Sequence, residues 1–310
     1  MICDATSMTI QNNQPLPDWK ADFDKWIEEG TAKSTRRAYD RDIAYFWSWC
    51  EEYLRLEKNH YPVSPEVIIQ FCLYHLNEES PRRLKVSTLR RYLASVSVGH
   101  KEASFASPTT NVQVKLLLKR VKSARIERSH QKAAITKDIL DKMLATCDET
   151  LMGVRDQAIL MVAFYSGGRR RSEIANLRMD DITKTKDGYL ITLAKSKTDQ
   201  NAEGFKTSIT GQAALALKQW LIKSGIRESH VFRGIKSDCT LYPSITGTTI
   251  YNTVKKRIRM IGLDDKLYGA HSLRAGFITE SVNSGKTIYE TMQYSGHRDA
   301  ETAQSYIRIK

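Results

Sequence analysis

Apolar residues in the first half of the chain recur at steps of three and four residues, the spacing of one face of an α-helix. The first such stripe consists of Tyr39, Ile43, Phe46, Trp47, Cys50 and Leu54. Residues that favour helix starts precede three of the stripes: Ser34, Ser64 with Pro65, and Ser87. A further stripe spans residues 112–121. The pattern predicts an all-α module of about four helices over residues 18–121.

The second half mixes helical and strand-like patterns. Helices are predicted from Thr136 onward, over residues 151–165, 213–223, 248–261 and 273–282, and within the last thirty residues. Residues 189–193 and 205–209 have the composition of strands, with a polar connector between them. We therefore expect a mixed α+β domain over residues 135–310 that contains a small β-hairpin or sheet. The chain as a whole should be mainly α.

Between the two halves, residues 122–134 lose the apolar periodicity and become strongly basic, with the sequence KSARIERSHQKAA. This segment is predicted to be an interdomain linker, and residues 1–17 a flexible N-terminal lead. A chain of 310 residues exceeds the usual size of one hydrophobic core, which also favours two domains. A cationic connector suits a two-domain clamp that closes around a polyanion, and an ordinary solvated loop explains the same charge.

The charge balance indicates the kind of partner. The chain has 48 Lys and Arg against 35 Asp and Glu, a net charge of +13, so a polyanion is expected and nucleic acid comes first. The longest apolar run, residues 158–165, is far shorter than the roughly 20 residues of a membrane span, and no membrane partner is predicted. The N-terminus lacks the features of an export signal, and the five cysteines form no C-x-x-C pair. These features favour a reduced, cytoplasmic compartment.

Five short motifs in the second half carry candidate chemistry. Arg170 stands three residues before Glu173, and lysines follow on the predicted hairpin. His271 and Arg274 form H-x-x-R, Gly296 precedes His297, and Tyr306 follows that histidine by nine residues. In this order and spacing the motifs resemble those of the tyrosine recombinase (phage integrase) family over residues 136–310. The first half resembles the helical core-binding domain of that family through the segment STRRAYDRD, which begins at Ser34.

The chemistry of these residue types fits a phosphodiester displacement. Such a step needs a nucleophile, cations that hold the charge on the nonbridging oxygens, and an acid for the departing alkoxide. Tyr306 is the predicted nucleophile, since a phenol oxygen forms a covalent intermediate that can be reversed. Arg170 and Arg274 are the predicted phosphate clamp, because the planar guanidinium donates two parallel hydrogen bonds. Glu173 lies on the same helical face as Arg170 and is expected to orient it.

The resemblance implies roles for the remaining site residues. It implies that His271 transfers a proton with the tyrosine or bonds the phosphate, and that His297 bonds a nonbridging oxygen. It places the general acid on a hairpin lysine, best matched by Lys197 in its Ser-Lys-Thr context, with Lys195 and Lys206 as alternatives. Contacts with the DNA backbone are predicted for basic residues in both halves: Arg36, Arg37, Arg41, Lys115, Lys119, Arg169 and Arg171.

The predicted function is site-specific recombination of double-stranded DNA through a 3′-phosphotyrosyl intermediate. The resemblance implies a homotetramer assembled on two recombination sites and accessory DNA-bending or directionality proteins as candidate partners, in the cytoplasm and at the nucleoid. No metal and no cofactor are expected, since arginines and lysine supply the positive charge and no Walker-type loop occurs. A type IB topoisomerase-like relaxing enzyme and a catalytically silent DNA-binding relative are the alternatives.

The two ends of the sequence add two expectations. Residues 1–17 leave no room for the arm-binding domain of some phage integrases, which favours the simpler architecture of Xer-like and Cre-like recombinases. Four residues follow Tyr306, too few for a helix that docks on a neighbouring subunit. On this basis the protein is expected to be a monomer in free solution that assembles on DNA.

Overall fold

The computed structural model describes residues 19–124, 131–193, 205–297 and 299–307. The chain divides into two compact units, Met1–Ser129 and His130–Lys310. It is mostly helical and contains a three-stranded antiparallel sheet in the second unit, which confirms the predicted mainly-α class. Across the described residues, none of the helices is both long and apolar enough to cross a membrane.

The first unit contains five described α-helices. They are α1 (Trp19–Gly30), α2 (Lys33–Leu54), α3 (Pro65–Leu76), α4 (Val86–Glu102) and α5 (Val112–Ala124). The four predicted helices are present, and α1 is an addition to them. Helix α3 starts after Ser64 as predicted, whereas Ala32 precedes α2 and Lys85 precedes α4. The caps assigned to Ser34 and Ser87 were therefore each wrong by two residues.

Aromatic rings from α2 and α3 form the centre of the first unit. Phe71 meets Phe46 edge-on with 5.2 Å between ring centroids, and Trp49 with 5.1 Å. Edge-to-face pairs add about 0.5–1.5 kcal/mol each beyond the burial of their area. Leu89 on α4 and Ile68 on α3 are fully buried in the same cluster. The apolar stripes recognised in the sequence therefore face one shared core.

The second unit contains the remaining elements. They are α6 (Lys137–Ala145), α7 (Leu151–Tyr165), α8 (Arg171–Ala175), β1 (Ile182–Lys184), β2 (Gly188–Leu193), β3 (Phe205–Thr210), α9 (Gly211–Ser224), α10 (Gly247–Met260), α11 (Ala270–Asn283), α12 (Ile288–Ser295) and α13 (Ala300–Gln304). Every predicted helix and both predicted strands are present. The sequence pattern missed β1 and α8, which have three and five residues and are too short to show a period.

Helix α7 lies at the centre of the second unit. Its residues from Ala158 to Phe164 are all buried, which explains why the sequence shows a continuous apolar run there. Each such Leu, Ile or Val side chain contributes about 1.5–3 kcal/mol when fully buried. The helix begins with a side-chain cap, because Thr150 Oγ1 accepts the Gly153 N–H at 3.1 Å. The rigid α7 ends at the turn that leads into the candidate site.

The structure describes both ends of the predicted linker, residues 122–134, and each end is part of a folded unit. Helix α5 continues through Ala124, so its last three residues fall within the segment assigned to the linker. On the other side, Ala133 N–H donates to Leu267 O at 2.8 Å, and Ile135 N–H donates to Ser272 O at 2.9 Å. Residues 131–134 therefore belong to the packing of the second unit, which corrects the predicted boundary at both ends.

Candidate active site

The turn after α7 allows three helices to approach one point. Gly167 and Gly168 have φ of +94° and +67°, values that residues with a Cβ rarely adopt. A Cβ on Gly168 would lie 2.5 Å from the Cα of Arg274 on α11, and one on Gly167 would lie 1.9 Å from the Tyr294 carbonyl oxygen on α12. The two glycines thus bring the arginine run into direct contact with α11 and the end of α12.

Arg170 occupies the N-cap position of α8, where Glu173 holds it in two ways. Glu173 Oε2 accepts the backbone N–H of Arg170 at 3.0 Å, and Glu173 Oε1 accepts from Nη1 at 2.9 Å. The pairing expected from their three-residue spacing is present. The Arg170 side chain keeps 38% of its surface exposed, so the guanidinium is oriented by the carboxylate and remains accessible to a ligand.

Arg274 lies on the buried side of the same site and is only 2% exposed. Its Nη1 donates to Gly168 O at 3.0 Å, and its Nε donates to His297 Nε2 at 3.1 Å. Burial, followed by the charge of Arg170, lowers the pKa of Arg274 to about 10, so the side chain is still a cation at neutral pH. A buried cation gains most from an anion that enters the site.

His297 follows the C-terminal end of α12. Burial lowers its pKa to about 4, and the charges of Arg274, Arg170 and Arg169 act in the same direction. The ring is therefore neutral at physiological pH. Its Nδ1 lies 2.7 Å from Ser295 Oγ, and its ring centroid lies 5.2 Å from that of Tyr306. The imidazole therefore contacts the buried Arg274 and lies close to the predicted nucleophile.

His271 is on the first turn of α11, three residues before Arg274, so the two share a helical face. The residue as a whole is exposed. Partial desolvation of the imidazole lowers its pKa, and the charges of Arg171, Arg274 and Arg170 add to the effect. The lowered pKa favours the neutral imidazole, the form that has an acceptor nitrogen, and the same cations make that nitrogen a weaker base.

Tyr306 follows the short helix α13 and reaches the site of its own chain. Asp299 caps α13 by accepting the Thr302 N–H at 2.7 Å, and the fully buried Ala303 anchors the helix. The Tyr306 N–H donates to Ala303 O at 3.1 Å, while Thr279 Oγ1 on α11 donates to the Tyr306 carbonyl at 3.4 Å. The Arg274 guanidinium carbon lies 6.0 Å from the Tyr306 ring centroid. The Tyr306 backbone is thus bonded to α13 through its N–H and to α11 through its carbonyl.

Of the three consecutive arginines, Arg169 has different surroundings from those the sequence predicted, whereas Arg171 does not. Arg169 is 5% exposed and donates to the carbonyls of Ser166 and Tyr294, so its predicted contact with the DNA backbone does not agree with the structure. Arg171 is exposed, and its stem lies near Gly247, where an added Cβ would come within 3.1 Å of Arg171 Cγ. Arg171 therefore remains a candidate for a phosphate contact.

The candidate general acid belongs to the segment of the sequence between β2 and β3. Lys195 and Lys197 lie outside the described residues, so the assignment to Lys197 stays a prediction. Strands β2 and β3 lead into and out of that segment, with Leu193 paired to Phe205. The alternative Lys206 is exposed on β3, opposite Thr192. Among the described residues, no group of three or more His, Cys, Asp or Glu side chains is placed to hold a metal ion.

The predicted DNA contacts of the first unit are all solvent-exposed: Arg36, Arg37, Arg41, Lys115 and Lys119. Arg36 is already paired with Asp40 at 3.3 Å and with Glu102, so its charge is partly satisfied within the unit.

The sequence interpretation did not include Arg91, an exposed side chain on α4 that pairs with the fully buried Asp42 on α2. The signal was present, since Asp42 is an isolated acid within the apolar stripe of α2.

Comparison with known proteins assigns the family. The phage integrase family model matches residues 133–310. An integrase/recombinase XerD homolog of Selenomonas ruminantium is 28% identical over 309 residues, covering 96% of this chain and 87% of the relative. The recombinase Cre of Escherichia phage P1 is 23% identical over 281 residues, covering 84% of this chain and 80% of Cre.

Solved structures share the fold. The Tn1549 transposon integrase in complex with transposon right end DNA aligns with a TM-score of 0.62 and 14% identity over 94% of each chain. A lambda integrase dimer bound to a core site aligns with a TM-score of 0.60 and 13% identity, also over 94% of each chain. The family match covers more than half of the sequence, and the chain belongs to the phage integrase family of tyrosine recombinases, as its motifs predicted.

Proposed function

We propose that this chain is a site-specific recombinase that cleaves and rejoins duplex DNA with Tyr306 as its nucleophile. The observation that carries the proposal is the grouping of Arg274, His297 and Tyr306 within one unit, with ring and guanidinium 5.2–6.0 Å from the tyrosine ring. A phenol beside a buried cation and a neutral imidazole is suited to attack a phosphodiester bound at those cations.

In the proposed cleavage step, Tyr306 Oη attacks the phosphorus and forms a 3′-phosphotyrosyl bond as the P–O5′ bond breaks. The phenol proton passes to His271, the accessible neutral imidazole on α11. The departing 5′ oxygen takes a proton from the general acid, for which Lys197 is the candidate. Rejoining reverses these transfers, with a 5′ hydroxyl as the attacking group, so no external energy source is needed.

The positive charge of the site fits a phosphodiester anion. Arg170 and Arg274 supply two guanidinium groups, and Glu173 is the carboxylate that pairs with Arg170. Arginine stays protonated in such surroundings and offers a planar pair of donors to the nonbridging oxygens. Since both side chains are held by protein hydrogen bonds before a ligand arrives, little reorganisation is needed when charge builds in the transition state.

The wider assembly follows from the same proposal. Two protomers are expected on each of two DNA sites, giving a homotetramer, with accessory DNA-bending or directionality proteins as further partners at the nucleoid. The exposed basic residues of α2 and α5 are candidates for holding the duplex. The solved relatives support DNA as the partner, since their structures contain it.

The test begins with a randomised duplex library, from which the purified protein selects its own binding site. A supercoiled plasmid that carries two copies of the recovered site is then incubated with the protein. Site-specific recombination predicts exchanged products that require both copies. Relaxation of a plasmid without the site would instead indicate a topoisomerase-like enzyme, and bound but uncut DNA would indicate a silent relative.

A further inference from the structure

Arg169 is a buried arginine that the proposed chemistry does not use. Its Nε donates to Ser166 O at 2.8 Å, and its Nη2 donates to Tyr294 O at 2.6 Å. Tyr294 is the penultimate residue of α12, so its carbonyl is among those that have no partner within the helix. The guanidinium therefore joins the end of α7 to the C-terminal end of α12.

Phe205 and Gly296 lie against the Arg169 guanidinium. The Phe205 ring lies under the guanidinium, 3.7 Å from its central carbon to the ring centroid. Gly296 lies beside it, and a Cβ at that position would be 3.0 Å from Nη1. Gly296 also has a φ of +67° and ends α12 in the left-handed conformation. The glycine before His297 thus provides both the turn and the space for Arg169.

The positive charge of Arg169 is favourable at the C-terminal end of α12. Burial lowers its pKa to about 10, which leaves the group protonated at neutral pH. A cation at a helix C-terminus interacts favourably with the partial negative charge of the terminal carbonyls. A neutral side chain of similar length would fill the same volume but leave the Tyr294 carbonyl without this donor.

We propose that Arg169 is a positioning residue for His297: it fixes the C-terminal end of α12 so that the imidazole stands against Arg274 and Tyr306. Arg169 does not contact the phosphate in this account, and the inference rests on the proposed recombinase function. One residue separates the Tyr294 carbonyl from Gly296, and the imidazole follows directly. A shift at the carbonyl therefore moves the ring, and misplacement of a catalytic group by about 1 Å costs on the order of 100-fold in rate.

The test is a double-mutant cycle on single-turnover cleavage of the selected duplex, with DNA affinity and thermal melting measured for each variant. Arg169→Met is expected to slow cleavage by about 10- to 100-fold and to leave DNA affinity within about twofold. In the His297→Ala background the same change should cost less than about threefold, because the group that it positions is absent. The exposed neighbour Arg171 provides the control, since Arg171→Met should act to the same extent in both backgrounds.

An equal loss from Arg169→Met in both backgrounds would overturn the proposal and leave Arg169 a role in stability alone. If melting shows that Arg169→Met is unfolded at the assay temperature, Arg169→Lys replaces it in the cycle, under the same criterion. Lysine keeps the charge but cannot bond both carbonyls with the arginine fork. Wild-type protein that forms no cleavage product would contradict the proposed function. His297→Ala that cleaves as fast as wild type would instead overturn the role of Arg169, because the group that it positions would not contribute to the rate.

Discussion

Arg274 and His297 form the central contact of the site, with Arg274 Nε donating to His297 Nε2 at 3.1 Å. The arginine is buried on α11, and the histidine follows α12, 23 residues later in the sequence. Because burial, followed by the charge of Arg274, disfavours a proton on the imidazole, the ring stays neutral and can accept the arginine N–H. This pair provides a fixed cation and a neutral ring beside Tyr306.

The lowered pKa of His297 predicts how stability depends on pH. The folded-state pKa is about 4, below the ordinary value of 6.5, so protonation favours the unfolded chain. Stability should be unaffected by this group above pH 6.5 and should fall as the pH drops from there to about 4. Urea unfolding at pH 7 and pH 5 measures the effect.

His297→Gln is the comparison, because it removes this titration and keeps the other histidines. The variant is expected to lose less stability than wild type between the two pH values. Equal losses would show that His297 does not titrate with a depressed pKa.

Replacing Arg170 with lysine should slow cleavage strongly, although the positive charge is kept. A point charge cannot reproduce the planar fork, and loss of one preorganised donor costs about 10²–10³ in rate. Single-turnover cleavage at saturating DNA is the measurement. Arg171→Lys serves as the matched control and should retain most of the rate; a larger loss there than at Arg170 would place the clamp one residue later.

The assignment of Lys197 as general acid predicts rescue by a modified substrate. When sulfur replaces the 5′ leaving oxygen, the thiolate departs without a proton, so Lys197→Ala should cleave that duplex at nearly the wild-type rate. On the ordinary duplex the variant should be slow. Lys195→Ala and Lys206→Ala are the controls, and selective rescue of either one would transfer the role to that lysine.

The basic helices of the first unit predict a strong salt dependence of DNA binding. The logarithm of affinity should fall linearly with the logarithm of salt concentration, by about 0.9 for each phosphate neutralised. Arg37→Gln, at an exposed residue of α2, should reduce that slope by about 0.9, whereas Arg36→Gln should change it less, since Arg36 is already paired with Asp40 and Glu102. Fluorescence anisotropy between low and moderate salt is the measurement. A slope near zero in wild type would contradict a phosphate-binding surface.

The periodic segments of the fold could be predicted from the sequence because their apolar faces are long enough to repeat. The limits 151–165 of α7 and the start of α3 after Ser64 were predicted correctly for this reason. Helix α1 was missed, since its segment WKADFDKWIEEG is largely polar and follows a proline-containing lead. The short β1 and α8 depend on tertiary contacts that no local pattern records.

The motifs identified the groups of the candidate site but not the surroundings of each group. Arg169 was predicted to contact the DNA backbone because only Arg170 in the arginine run stands three residues before Glu173. Its burial depends on Phe205 and Gly296, which are distant in the sequence. Similarly, the ion pair between Arg91 and Asp42 was not predicted, because it depends on α4 lying beside α2. The chemistry of a side chain can be read from the sequence, whereas its exposure depends on contacts with residues that are distant in the sequence.

The covalent attachment point tests the central claim most directly. Protein incubated with a nicked duplex that traps the cleaved state is digested with trypsin, and the peptide that carries DNA is identified by mass spectrometry. The account predicts an adduct on Tyr306 that is absent from Tyr306→Phe, although this variant should still bind DNA. Tyr289→Phe is the control, because Tyr289 is exposed on α12, and the adduct should be present in it. An adduct on another residue, or one that persists in Tyr306→Phe, would contradict the assignment of Tyr306 as the nucleophile.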